Sequence, residues 1–160
     1  MSDFGLSKIL TPEHKTTRSF CGTPEYLAPE ILIRNEYTKT VDFWSLGIFI
    51  FEMLYGITPF WADTSAQMYQ RVIHDPLYMP AYRSTLSKHL VSSLLERDPV
   101  NRIGANCISE VKNHPFFQSI SWQSLLNEEV HPPFIPPIVP YFNRRILLLT
   151  QKTLILNLLP

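Results

Sequence analysis

Apolar residues crowd residues 41–55 and do not keep to one face: Phe43, Leu46, Ile48, Phe49, Ile50, Phe51, Met53 and Leu54 would point all round a helix. A helix apolar on every side belongs in the middle of a domain. It is too short to cross a bilayer, and Asp42 and Glu52 near its ends would be costly in hydrocarbon, so the burial is expected in protein. Gly56 supplies a C-cap stop. The two carboxylates either find partners or stay solvated at the helix ends, and the pattern alone leaves both readings open.

The rest of the pattern predicts shorter elements. Residues 2–23 are polar and without period, which reads as a long loop, functional or disordered. Residues 24–33 predict a short helix broken by Pro29, and 34–40 a polar connection. The 57–61 loop carries aromatic anchors. Thr64 and Gln67 have capping-box spacing ahead of Met68, Val72 and Ile73, predicting a helix over 65–74. Leu86, Leu90, Val91, Leu94 and Leu95 place another helix over 87–97, ended by Asp98-Pro99. A last short helix over 108–113 stops before Pro115, with Phe116 and Phe117 as core anchors. Strand signals are almost absent, so the fold class is mainly α.

Composition narrows the partners more than the fold. The 160 residues are 45% hydrophobic and 18% charged, ordinary for one globular domain with a core. Net charge is zero, which removes the basic surplus expected of a nucleic-acid or anionic-membrane binder. Cys21 and Cys107 are too few for a disulfide framework, and the first residues lack the pattern of a signal peptide, so a reducing intracellular setting is expected. The chain has 14 prolines, with a cluster over residues 132–140 that marks an extended tail.

Asp3-Phe4-Gly5 and Ala28-Pro29-Glu30 resemble two signatures of eukaryotic protein kinases. Either tripeptide alone is weak. Their order, with Cys21-Gly22-Thr23-Pro24-Glu25-Tyr26-Leu27 between them and Asp42-Phe43-Trp44-Ser45-Leu46-Gly47 after, is very specific. Residues 20–30, 52–56, Arg97-Asp98-Pro99 through Arg102, and Pro133-Phe134-Ile135-Pro136 resemble the AGC group, nearest its serum-and-glucocorticoid-regulated, Akt-like and ribosomal-protein branches. The resemblance covers residues 3–137 and implies the lower part of a kinase large lobe, with helices around a buried central helix and no small lobe. It divides the chain into a magnesium loop, activation segment and short helix over 1–40, a helical core over 41–117, a C-terminal extension over 118–137 and a divergent hydrophobic tail over 138–160.

The resemblance also assigns roles. Asp3 matches the Mg²⁺-holding carboxylate, with Phe4 and Gly5 as its packing and hinge neighbours in the nucleotide site. Ser19 matches the activating phosphosite. Phe20, Pro24 and Leu27 match the floor for the substrate residue after the phosphorylated one, and Thr23 a hydroxyl that supports the catalytic base and lysine. Glu52, with Glu25 nearby, matches the carboxylate that takes a substrate arginine. Glu30 and Arg102 match a buried structural pair, and Asp42 a carboxylate that accepts hydrogen bonds from the catalytic-loop backbone.

A Gly-rich phosphate loop, a strand lysine and a catalytic loop are not among these residues. The expected function is therefore that of a fragment of an ATP- and Mg²⁺-dependent protein serine/threonine kinase, inactive by itself and binding neither cofactor tightly. The alternative is a non-catalytic module that binds substrates or regulators. Expected partners are basic Ser/Thr protein substrates and an upstream activating kinase, with no nucleic acid and no transmembrane segment, in the cytoplasm or alternatively the nucleus. A helix that in the family packs on the central one is also missing, so Phe43, Ile50 or neighbouring apolar residues are expected to form an exposed patch. After residue 137 the family pattern stops: Arg144 and Arg145 precede two short apolar runs split by Gln151 and Lys152, which argues against a spanning helix. A membrane-surface helix or unrelated sequence are the readings of that tail.

Overall fold

The computed structural model describes residues 4–136, so the readings for Asp3 and for the tail over 138–160 lie outside the described residues. Those described form an all-helical unit: α1 (Pro29–Leu32), α2 (Thr40–Tyr55), α3 (Ser65–His74), α4 (Thr85–Leu94), α5 (Ile108–Lys112) and α6 (Trp122–Leu126), with 3₁₀ turns at Pro24–Tyr26 and Pro115–Phe117. Among them the extended pairing is a single antiparallel bridge between Thr17 and Tyr37. No described helix is long and apolar enough to cross a membrane.

Helix α2 is the axis of the unit. Trp44, Ile48, Phe51 and Leu54 are buried with Leu90, Val91 and Leu94 of α4 in one core. Each fully buried aliphatic or aromatic side chain contributes about 1.5–3 kcal/mol, so α2 supplies much of what offsets chain entropy. Gly56 ends it in the left-handed region (φ 83°), its N–H donating to the Glu52 carbonyl at 2.8 Å. Gly47 lets α4 approach: a Cβ there would lie 2.8 Å from both Leu94 Cβ and Leu95 Cδ2.

One side of α2 stays open. Ile50 is buried and Phe43 half-buried, while Phe49 is 49% exposed. Asp42, Ser45, Leu46, Phe49 and Met53, spaced three or four apart, share this partly open stripe. The apolar patch expected on the central helix thus centres on Phe49, with Ile50 turned to the core. This face is expected to bind a hydrophobic dye, and Phe49→Gln to reduce that signal with little loss of stability; unchanged dye fluorescence in the variant would place the signal elsewhere.

Local chemistry explains where the elements depart from their predicted bounds. Pro29 opens α1 at its first position and does not break a longer helix, because a residue without an N–H loses nothing there. Helix α3 runs as its capping box predicts, with Thr64 Oγ1 accepting the Gln67 N–H at 3.3 Å. Helix α4 begins two residues before the predicted start because Ser84 Oγ caps the Ser87 N–H at 3.2 Å. It ends before Arg97, whose Nε instead donates to the Val72 carbonyl at 2.8 Å. Helix α6 has no counterpart in the predicted elements; Ser121 caps it by accepting the Ser124 N–H.

Candidate functional site

The polar segment 16–20 lies against residues 34–37 through a series of local contacts. Thr17 and Tyr37 exchange both backbone hydrogen bonds, at 3.0 and 2.9 Å. Glu36 accepts from the Thr16 hydroxyl and from Arg18, both at 2.9 Å. Those bonds, Thr16 first, hold its carboxyl below the usual range. The Tyr37 hydroxyl donates to the Ser19 carbonyl at 2.7 Å, and the Arg34 guanidinium stacks 3.9 Å from the centre of the Phe20 ring. Ser19 itself is exposed; its Oγ lies 3.3 Å from Thr17 Oγ1, which takes a 2.8 Å hydrogen bond from Lys8 Nζ.

From Phe20 the chain turns onto α2. Pro24 and Glu25 are half-buried in the 3₁₀ turn and Leu27 is buried, whereas Thr23, at the turn's N-cap, is exposed and makes no side-chain cap bond. The Tyr26 hydroxyl donates to the Glu52 carboxylate, and the Tyr26 carbonyl accepts from Ser45 Oγ at 3.0 Å. Burial first, then this bond to Glu52, raise the Tyr26 phenol. Glu52 is therefore anchored and half-buried, not a freely solvated helix-end charge. Asp42, at the other end of α2, is open by surface area, yet protein around its carboxyl draws off enough water to push it above the usual range. No hydrogen bond to its carboxylate is present among the described residues.

Glu30 and Arg102 meet in the interior. Arg102 Nη1 and Nη2 donate to Glu30 Oε1 and Oε2 at 2.7 and 3.0 Å, with the arginine side chain fully buried. Arg102 also donates to the carbonyls of Thr40 (2.9 Å), Glu96 (2.8 Å) and Arg97 (3.4 Å), and its guanidinium lies 5.3 Å from the Trp44 ring centre. One side chain thus joins α1, the start of α2 and the loop after α4.

The expected nucleotide end offers little. Phe4 and Gly5 are exposed, and the Phe4 carbonyl accepts from the Ser7 N–H and hydroxyl in a local turn. Among the described residues no group of three or more His, Cys, Asp or Glu is placed to hold a metal ion. Asp3, the carboxylate expected to hold Mg²⁺, lies outside the described residues, and no step through Mg·ATP follows from those described. Contacts that the sequence pattern does not show are Tyr26 on Glu52, Lys8 on Thr17 and Trp44 beside Arg102. Each joins residues many positions apart, where periodicity carries no signal.

With a helical lobe around α2 and a clipped, polar segment leading onto it, the class is that of a protein kinase large lobe. The protein kinase domain model matches residues 1–117, and the chain belongs to that family, whose members use ATP and Mg²⁺. It is 44% identical over 138 residues to the serine/threonine-protein kinase gad8 of Schizosaccharomyces pombe, covering 86% of this chain and 24% of that one. It is 46% identical to the serine/threonine-protein kinase YPK2/YKR2 of Saccharomyces cerevisiae (85% and 20%) and 43% to the serine/threonine-protein kinase Sgk1 of Gallus gallus (86% and 32%). The chain spans between a fifth and a third of these relatives.

Proposed function

We propose that these residues are the substrate-facing, helical part of an AGC-type protein serine/threonine kinase, and that this part presents a docking surface without carrying out phosphoryl transfer by itself. The observation that carries the reading is that residues 16–19 are tied to 36–37 through Glu36 and Tyr37, and the segment is fastened to the core through Tyr26–Glu52 and Glu30–Arg102, which supports a preformed surface. On it Phe20, Pro24 and Leu27 receive the residue after the phosphoacceptor, and Glu52 with Glu25 receives an upstream arginine. Ser19, whose hydroxyl lies 3.3 Å from the Thr17 hydroxyl that Lys8 bonds, is the phosphosite for an upstream kinase, since a dianion brought near an ammonium gains charge-assisted hydrogen bonds. Asp42 and Thr23 wait on catalytic-loop partners that these 160 residues do not include, and Asp3 on the second metal ligand.

The alternative form of this reading is a non-catalytic module that binds basic Ser/Thr proteins, which the assembled surface supports. Calorimetry tests both halves. Mg·ATP is expected to give no saturable heat, whereas a peptide with arginine two positions before serine is expected to bind, and Glu52→Gln to weaken it several-fold through loss of a carboxylate–guanidinium pair. A micromolar, magnesium-dependent ATP site would overturn the first half. Equal binding of the arginine peptide and its alanine analogue would overturn the second.

A further inference from the structure

His89, exposed on α4, and His114, buried just before the Pro115–Phe117 turn, meet edge to edge: His89 Nδ1 and His114 Nε2 are 2.7 Å apart, with the ring centres 5.0 Å apart and the planes 23° from parallel. The other His114 nitrogen, Nδ1, accepts the Phe116 N–H at 3.1 Å. A backbone amide can only donate, so Nδ1 must carry a lone pair and the proton of neutral His114 sits on Nε2. That proton points at His89 Nδ1, which must accept, leaving the His89 proton on its outward Nε2. The chain of donors is then fixed from Phe116 through both rings.

We propose that His89 and His114 form a proton-gated latch that fastens the turn Pro115–Phe117 and α6 to the helical core at neutral pH and releases them on acidification. An added proton has two places to go, and both break the chain. On His89 Nδ1 it meets the His114 Nε2–H; on His114 Nδ1 it meets the Phe116 N–H. Either way two donors face each other across a hydrogen-bond distance.

What the latch holds is lightly fastened otherwise. Neither the turn nor α6 has a fully buried residue. Beyond the histidines, half-buried Phe116 and Phe117 pack against the core, and the hold on α6 runs through Phe117 against Trp122 (5.5 Å between ring centres), Trp122 Nε1 donating to the Lys112 carbonyl at 3.1 Å, and Lys112 Nζ 5.6 Å over the Trp122 ring. Segments with so few buried contacts open at low free energy.

The neighbouring charges are engaged elsewhere. Lys88 of α4 donates to the Ala81 carbonyl, Glu110 of α5 accepts from Gly104 and Asn106, Glu96 accepts the Asp98 N–H, and Glu129 after α6 accepts from Asn127. Burial, then the charge of His89, push the His114 imidazole down from its ordinary value. A depressed imidazole favours the neutral folded form, so its contribution is complete above the ordinary histidine range and is lost as pH falls.

The test is an NMR titration of the whole chain from pH 8 to 5, following the Phe116 amide, the Trp122 indole N–H and the histidine nitrogens. The three are expected to move together with one midpoint, and His89→Asn, whose carboxamide oxygen accepts from His114 Nε2–H at every pH, to lower that midpoint by about one unit or more. Hydrogen exchange of residues 115–126, corrected for its intrinsic pH dependence, gives the same reading by a second route. Phe116 and Trp122 signals flat over this range, or an unchanged midpoint in His89→Asn, would overturn the latch.

Discussion

Arg102→Ala is expected to destabilise the chain by about 3–5 kcal/mol, several times the effect of removing a surface pair. Glu30 is buried, and both its carboxylate oxygens are bonded to Arg102. Without the arginine the carboxylate is left in the interior without its counter-charge. Glu30→Gln is expected to cost less. Arg102 would keep the carbonyls of Thr40, Glu96 and Arg97 and the face of Trp44, while the amide oxygen retains one of its two bonds. The double variant Arg102→Ala with Glu30→Gln should recover part of the loss, so the cycle shows strong coupling. The measurement is the urea midpoint at constant slope, with coincident probes as the check that unfolding is two-state. Single variants that each cost under about 1 kcal/mol, with additive effects, would mean that the pair contributes no more than an exposed one.

How much of this was readable beforehand depends on how far apart the partners stand in the chain. Helix α2 and its stop at Gly56 follow from local density of apolar residues and one glycine, and α3 from its cap, because both signals lie within a few residues. The ends of α4 were misplaced by two or three residues since Ser84 and Arg97 act through hydrogen bonds that periodicity does not register. Helix α6 escaped because it is five residues long and leaves Leu125 and Leu126 exposed, so it has no apolar stripe to detect. Asp42 and Glu52 look alike in sequence, one near each end of the same helix. The chain crossing at Tyr26 helps to separate them, giving Glu52 a donor. Glu30 and Arg102 stand 72 residues apart, and nothing but family resemblance pointed from one to the other. The His89–His114 contact had no sequence signal at all.

Gly47→Ala is the second large effect expected, and its sign decides between two known contributions. In an open helix interior the change from glycine would stabilise by about 0.8–1 kcal/mol through reduced backbone entropy. At this position the new methyl would lie 2.8 Å from Leu94 Cβ and 2.8 Å from Leu95 Cδ2. The leucine tip can turn away, but the Leu94 Cβ is fixed to the α4 backbone, so relief requires α4 to move off α2. That movement loosens Leu90, Val91 and Leu94 against Trp44, Ile48 and Phe51 in the main core. Overpacking of this kind typically costs about 1–3 kcal/mol, which exceeds the gain in helix propensity, so net destabilisation is expected. Leu94→Ala in the same background keeps the offending Cβ and should not rescue, whereas Leu95→Ala removes the second contact and should restore a part. A Gly47→Ala chain with a raised urea midpoint would show that α2 and α4 do not meet as closely as the glycine implies, and would remove the reason for a glycine in the middle of the central helix.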